Sequence, residues 1–196
     1  MRSVHLSPDS GGVDVQIDGS DIATNLRYLS SSPYENVSSG TRVLDIFISG
    51  TNVFENDVNL SRDADFTVLV AGFRGSLFPQ LLTDDNSTPP SGQFRLRFLH
   101  ESPNASMADL YALAGGTDIN TATPNFVNTN FGTNAGYVTL APGTYDLQLT
   151  PAGAKAVVAD SGPVTFSAGQ VRTAVLVNAP AGSPSPFTII LLNDSN

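Results

Sequence analysis

His5-Leu6-Ser7-Pro8-Asp9, followed by Val13-Asp14-Val15, returns 95 residues later as His100-Glu101-Ser102-Pro103-Asn104, followed by Ala108-Asp109-Leu110. The chain therefore reads as two tandem copies of one small domain. The match continues at growing offsets. Ser38-Ser39-Gly40-Thr41 aligns with Ala141-Pro142-Gly143-Thr144, Thr67-Val68-Leu69-Val70 with Thr173-Ala174-Val175-Leu176, and Leu81-Leu82-Thr83-Asp84 with Leu191-Leu192-Asn193-Asp194. Insertions thus collect in connections, and the first and largest raises the offset from 95 to 103 between Tyr111 and Gly143. What both copies keep is expected to be structural, and what differs is where function is sought.

Val13, Val15 and Ile17 alternate with Asp14, Gln16 and Asp18, and Tyr145, Leu147 and Leu149 alternate with Asp146, Gln148 and Thr150. This period of two marks half-buried strands. The β-branched runs Phe66 to Val70, Val171 to Val177 and Phe187 to Leu192 read as strands buried on both faces. No segment carries a helical stripe, and 17 Gly and 13 Pro punctuate the chain at strand-like intervals. The expected fold is all-β, two tandem immunoglobulin-like β-sandwich domains. Residues 1–85 form the first, 93–196 the second, and 86–92 a linker whose Pro89 and Pro90 cannot continue a ladder and keep it short and stiff.

With no Cys among 196 residues, disulfides, thiolate metal sites and a cysteine nucleophile are excluded. A net charge of −9 repels phosphate backbones and anionic lipid, so no nucleic-acid partner is expected. No run approaches the ~18 apolar residues of a membrane helix, so no membrane insertion of this chain is expected. Met1-Arg2-Ser3 leads straight into the first strand, so any export signal is expected to be missing from this sequence.

Ser-Pro-Asp and Ser-Pro-Asn are turn chemistry. If the flanking strands pair symmetrically about that turn, His5 faces Asp14 and His100 faces Asp109, with Val4 against Val15 and Leu6 against Val13 on the other face. In the second copy Phe98 and Tyr111 place apolar bulk on the His face too, which leaves open which face is buried. Such a pair is a triad fragment, half a metal site, or a cross-strand contact that pins a hairpin. No G-x-S-x-G or H-E-x-x-H accompanies it, so the pairs are read as structural and no catalytic residue is assigned. Asp63 with Asp65, Glu55 with Asp57, and Asp84-Asp85-Asn86 offer oxygens to calcium, but none has EF-hand spacing. Solvated loop charge is the preferred reading, and no cofactor is expected. The sequons at Asn36, Asn59, Asn86, Asn104 and Asn193 are expected chance matches in so Asn- and Ser-rich a chain.

The expanded segment from Ala114 to Gly136 is different in kind. It holds Asn120, Asn125, Asn128, Asn130 and Asn134 near Phe126, Phe131 and Tyr137, amides that bond hydroxyls beside rings that stack on sugars or apolar ligands. Asn125, Phe126, Asn128, Asn130, Phe131 and Tyr137 are the candidate binding residues. The alternative is an elongated loop whose aromatics fold back on the core.

With these residues in view, the chain resembles the bacterial envelope family known as domain of unknown function 4397. The resemblance rests on His5, Ser7, Pro8, Asp9, Val13, Asp14 and Val15 in the first copy, and on His100, Ser102, Pro103, Asn104, Asp109, Leu110, Tyr111, Gly143, Thr144 and Tyr145 in the second. Asn104 in place of Asp, and Arg42 where the second copy has Tyr145, depart from the pattern. The resemblance implies an exported β-sandwich and supplies no activity and no catalytic residues. The leading expectation is a non-enzymatic extracellular or cell-envelope module for structure, adhesion or assembly, with a protein or surface polysaccharide as partner. The alternatives are a carbohydrate or small-ligand module using the expanded loop, and self-association into filaments through edge strands.

Overall fold

The computed structural model of the chain describes residues 1–194. It is all-β and divides into two units, Met1–Asp85 and Asn86–Asn196, each an immunoglobulin-like sandwich.

The first unit contains β1 (Arg2–His5), β2 (Val13–Ile17), β3 (Ser20–Leu26), β4 (Gly40–Ile48), β5 (Thr51–Leu60), β6 (Asp65–Phe73) and β7 (Ser76–Asp84). One sheet has the order β1-β6-β7 and the other β3-β2-β4-β5. The alternating residues Val13, Val15 and Ile17 meet Leu44, Ile46 and Ile48 in one wall of the core, and Phe66, Val68 and Val70 supply the facing wall.

β1 does not pair with β2. It runs parallel to β6 in the opposite sheet, with Arg2 beside Thr67 and His5 beside Val70. The expected hairpin, with its His5–Asp14 pair, is thereby corrected. Its physical cause is burial, because Ser3 and His5 are as fully enclosed as Val4 and Leu6. A strand covered on both faces pairs within the sandwich, not in a half-exposed ribbon. Ser7-Pro8-Asp9 is consequently an arch from one sheet to the other.

The second unit contains β8 (Phe94–His100), β9 (Ala108–Ala114), β10 (Phe126–Thr129), β11 (Thr133–Leu140), β12 (Gly143–Pro151), β13 (Ala159–Phe166), β14 (Val171–Asn178) and β15 (Phe187–Asn193). The sheets are β11-β8-β14-β15 and β10-β9-β12-β13, and β8 lies parallel to β14 as β1 lies to β6. The His100–Asp109 pairing fails for the same reason as in the first unit. β11 has an irregular counterpart in the first unit, where Ser30, Ser32 and Glu35 bond to the main chain of His5, Ser3 and Met1. Phe187 to Leu192, expected to be doubly buried, forms the sheet-edge strand β15 and is half-exposed.

The two units differ at their tight turns. Asp18-Gly19, Ser49-Gly50 and Arg74-Gly75 close the hairpins β2–β3, β4–β5 and β6–β7. At the corresponding places the second unit has residues 115–125, 152–158 and 179–186. The sequence offsets therefore record three lengthened hairpins on a common frame.

Candidate functional site

Both histidines are fully buried and spent on the arches. His5 Nδ1 accepts the Ser7 amide at 3.2 Å, which leaves the ring proton on Nε2 to donate to the Gly11 carbonyl at 3.0 Å. His100 Nε2 lies 3.1 Å from the Ser106 carbonyl, the equivalent position. Burial holds both imidazoles below the ordinary histidine range, against the opposing pull of these backbone bonds. Unfolded, they titrate near 6.5, so between that value and their lower folded values the unfolded chain binds more protons. Stability from this source is complete above about pH 6.5 and lost as pH falls below it. The denaturant midpoint is expected to drop as pH is lowered below about 6.5 in the native protein and to stay flatter in the His5→Gln, His100→Gln variant. Identical profiles would contradict the assignment.

The aspartates of the same motif act elsewhere. Asp14 Oδ1 accepts the amide of Asn25 at 2.6 Å, and Asp109 Oδ1 accepts that of Asn128 at 2.7 Å. Asn25 and Asn128 sit at φ 48° and 52°, so each carboxylate holds a left-handed residue in the neighbouring strand. Asp109 Oδ2 also receives the Gly153 amide at 2.8 Å. The departures from the repeat are explained equally locally. Arg42 Nε donates to the Ser38 carbonyl, and Tyr145 OH donates to Ala141, the matching carbonyl, so both residues brace one corner. Asp9 accepts the Arg74 amide of the tight β6–β7 turn, a turn that the second unit lacks and opposite which it carries Asn104.

A second duplicated constellation escaped the sequence reading. Arg2 Nε donates to Thr67 Oγ1, and that hydroxyl donates to Asp84 Oδ2 at 2.6 Å, while Tyr34 lies under the guanidinium and gives its proton to the same oxygen. Arg97, Thr173, Asp194 and Tyr137 repeat the set. These groups come from four elements, and only the paired offsets of Arg2 with Arg97 and Asp84 with Asp194 could have signalled them. Asp84, considered above for calcium, has an oxygen already taken by two hydroxyls. Asp63 sits exposed beside Arg62. Among the described residues no group of three or more His, Asp or Glu is placed to hold a metal.

The six candidate binding residues do not form one exposed aromatic site. Phe126 is buried in the core against Phe98. Phe131 and Tyr137 are half-buried, and Tyr137 lies 5.3 and 5.1 Å from the guanidinium carbons of Arg95 and Arg97. Asn125 Oδ1 accepts the Ala112 amide, and Asn130 stands exposed before β11. Asn125, Phe126 and Asn128 do line one depression of about 350 Å³ between β10 and β11. The first unit has its counterpart, about 380 Å³ between β3 and the Ser31–Glu35 segment. A feature of both copies belongs to the frame.

What is peculiar to the second unit is a chain of contacts among its lengthened connections. Lys155, the only lysine of the sequence, donates to the carbonyls of Ile119 and Ala122 at 2.7 and 2.6 Å. Its ammonium lies 4.6 Å from the centre of the Tyr111 ring. Tyr111 and Leu113 alternate with core residues yet are buried, where the first unit has the more exposed Gln16 and Asp18. Residues 115–125 therefore fold back over the outer face of β9, which answers the question of the buried face. Ser185 Oγ then donates to the Val158 carbonyl at 2.8 Å and ties the third connection to the second.

Fold and repeated arches define an immunoglobulin-like β-sandwich protein with duplicated, buried polar clusters. The family profile "Domain of unknown function (DUF4397)" matches residues 1–111, the first unit together with β8 and part of β9, and the chain belongs to this family. No curated protein matches significantly. Among solved structures, the chain is similar to the CBM26 carbohydrate-binding module of Eubacterium rectale Amy13K in complex with maltoheptaose, at 9% identity and TM-score 0.29, over 100% of this chain and 98% of that one. It is also similar to a candidate cell adhesion protein from Bacteroides fragilis, at 9% identity and TM-score 0.21, over 97% of this chain and 86% of that one. At these TM-scores neither likeness bears on function.

Proposed function

We propose that the chain is a non-enzymatic extracellular or cell-envelope module, two copies of the family domain in series, of which the second carries the recognition surface for a surface polysaccharide or protein. The supporting observation is the contrast between the copies. The His arches, the Asp-held bulges and the Arg-Thr-Asp clusters are common to both, whereas the three linked connections belong to the second alone. Loops on a rigid sandwich are where binding groups are displayed without disturbing the core. Residues 115–125 present Thr117, Asp118, Asn120, Thr121 and Thr123 to solvent, a set of hydroxyl, amide and carboxylate groups without an aromatic ring. β15 at a sheet edge favours a second reading, self-association.

The test replaces residues 113–122 with Asp-Gly, the first unit's turn, together with Tyr111→Gln so that the uncovered face is polar. Loop closure depends weakly on length, so the sandwich should persist by circular dichroism. Binding on a glycan array and in cell-surface adhesion should be lost. Undiminished binding, or turnover by the parent chain in a hydrolase substrate panel, would overturn the proposal.

A further inference from the structure

A cleft of about 480 Å³ lies in the second unit between the second and third lengthened connections, with Val157, Val158 and Ala159 on one side and Pro184, Phe187 and Thr188 on the other. Its volume is that of an ordinary ligand site. It cannot form in this way in the first unit, where Ser49-Gly50 and Arg74-Gly75 close the corresponding hairpins tightly.

Three properties limit what it can hold. The first is charge: Asp160 is the one charged residue of the lining, and its carboxylate already accepts Gly162 N at 2.7 Å and Gln148 Nε2 at 2.9 Å. A neutral ligand is complementary to such walls, and an anion would also meet the chain's net charge of −9. The second is backbone: β13 and β15, which border the cleft, end their sheets, so their outer sides turn main-chain groups outward, apart from the Phe187 amide and the neighbouring Val158 carbonyl, which Ser185 Oγ already takes. The third lies below. An inner pocket of about 30 Å³ shares Val158 and Phe187 with the cleft and is lined by Thr150. Thr150 is fully buried, and its hydroxyl has no hydrogen-bond partner. A buried unsatisfied hydroxyl in a polypeptide core is rare and costly, and a pocket of this size admits one small polar group.

We propose that this cleft binds an extended, uncharged polypeptide segment of alternating β-branched residues. Its main chain extends a sheet at the β13 or β15 edge, its apolar side chains lie against Val157 and Phe187, and a small hydroxyl-bearing side chain reaches Thr150. Strand addition draws affinity from main-chain bonds and selectivity from alternate side-chain pockets. The inference rests on the proposal that the second unit is the recognition unit and names one class of partner for it.

The experiment titrates the full ¹⁵N-labelled chain with the capped peptide acetyl-(Thr-Val)₃-amide. Saturable shifts should appear at the amides of Val157 to Asp160 and of Phe187 and Thr188. Val157→Glu places a charge on an already exposed wall residue and should weaken binding at least about tenfold, as expected for an unpaired charge against an apolar ligand. Thr150→Val is isosteric and should weaken binding about fivefold to tenfold while leaving the free protein equally or more stable. Absence of saturable binding, shifts confined to other segments, or binding indifferent to both substitutions would overturn the inference. If Val157→Glu spares cell-surface adhesion while the 113–122 replacement abolishes it, the recognition unit stands and the cleft falls.

Discussion

Asp194→Ala is expected to destabilise the second unit by about 3–5 kcal/mol, the range for breaking a buried ion pair from one side. Arg97 is wholly buried, its Nε bonded to Thr173 Oγ1 at 2.9 Å and its Nη2 3.7 Å from Asp194 Oδ1. Thr173 Oγ1 in turn donates to Asp194 Oδ2 at 2.7 Å. Removing the carboxylate leaves a guanidinium without its counter-charge in a place that water does not reach, and it strands the threonine proton. The double variant Arg97→Met, Asp194→Leu removes both charges and should recover most of the loss, because an apolar replacement of a buried pair is often neutral. Urea unfolding followed by circular dichroism reads both. A single substitution costing less than about 1 kcal/mol, the range of exposed pairs, would contradict this account of the cluster.

Phe166→Ala should cost a similar amount, about 3–5 kcal/mol, for a different reason. Phe166 is 2% exposed and stacks on Phe94 with ring centres 4.5 Å apart and planes 3° apart, with Tyr145 packed beside both. Truncation removes a large apolar surface and leaves a cavity between rings that cannot collapse without breaking the β12–β13 register. The first unit ends its equivalent strand on Leu60, also 2% exposed. Phe166→Leu should therefore retain most of the stability, with a loss of less than about 1.5 kcal/mol. Equal losses for Ala and Leu would show that packing of the ring stack is not what the position supplies.

The strand alternation Val13, Val15, Ile17 and the stepwise offsets gave access to the sandwich class and to the places where the copies differ, because period-two burial and connection length are local properties of sequence. Pairing of β1 was not accessible. Ser3 and His5 are polar residues between apolar neighbours, and only the assembled structure shows the strand enclosed, its main chain met from the β6 side and from the Ser30–Glu35 segment. The same blindness hid the Arg-Thr-Asp-Tyr clusters, whose members lie far apart in sequence. Phe126 misled for a related reason, since an aromatic among asparagines reads as a binding residue until β10 turns it into the core. Tyr111 and Leu113 carried a usable signal, being apolar where the first copy has Gln16 and Asp18, and they mark the face over which residues 115–125 close.

Both units share one frame, and the proposed recognition role falls to the second alone, through connections that Lys155 and Ser185 tie together. Hydrogen exchange of the full chain, free and bound to whichever glycan or surface component the adhesion assay retains, tests it most directly. Protection gained in residues 115–125, 152–158 or 179–186, with the first unit unchanged, is the predicted result; protection gained only in the first unit, or at the arches around His5 and His100, would contradict it.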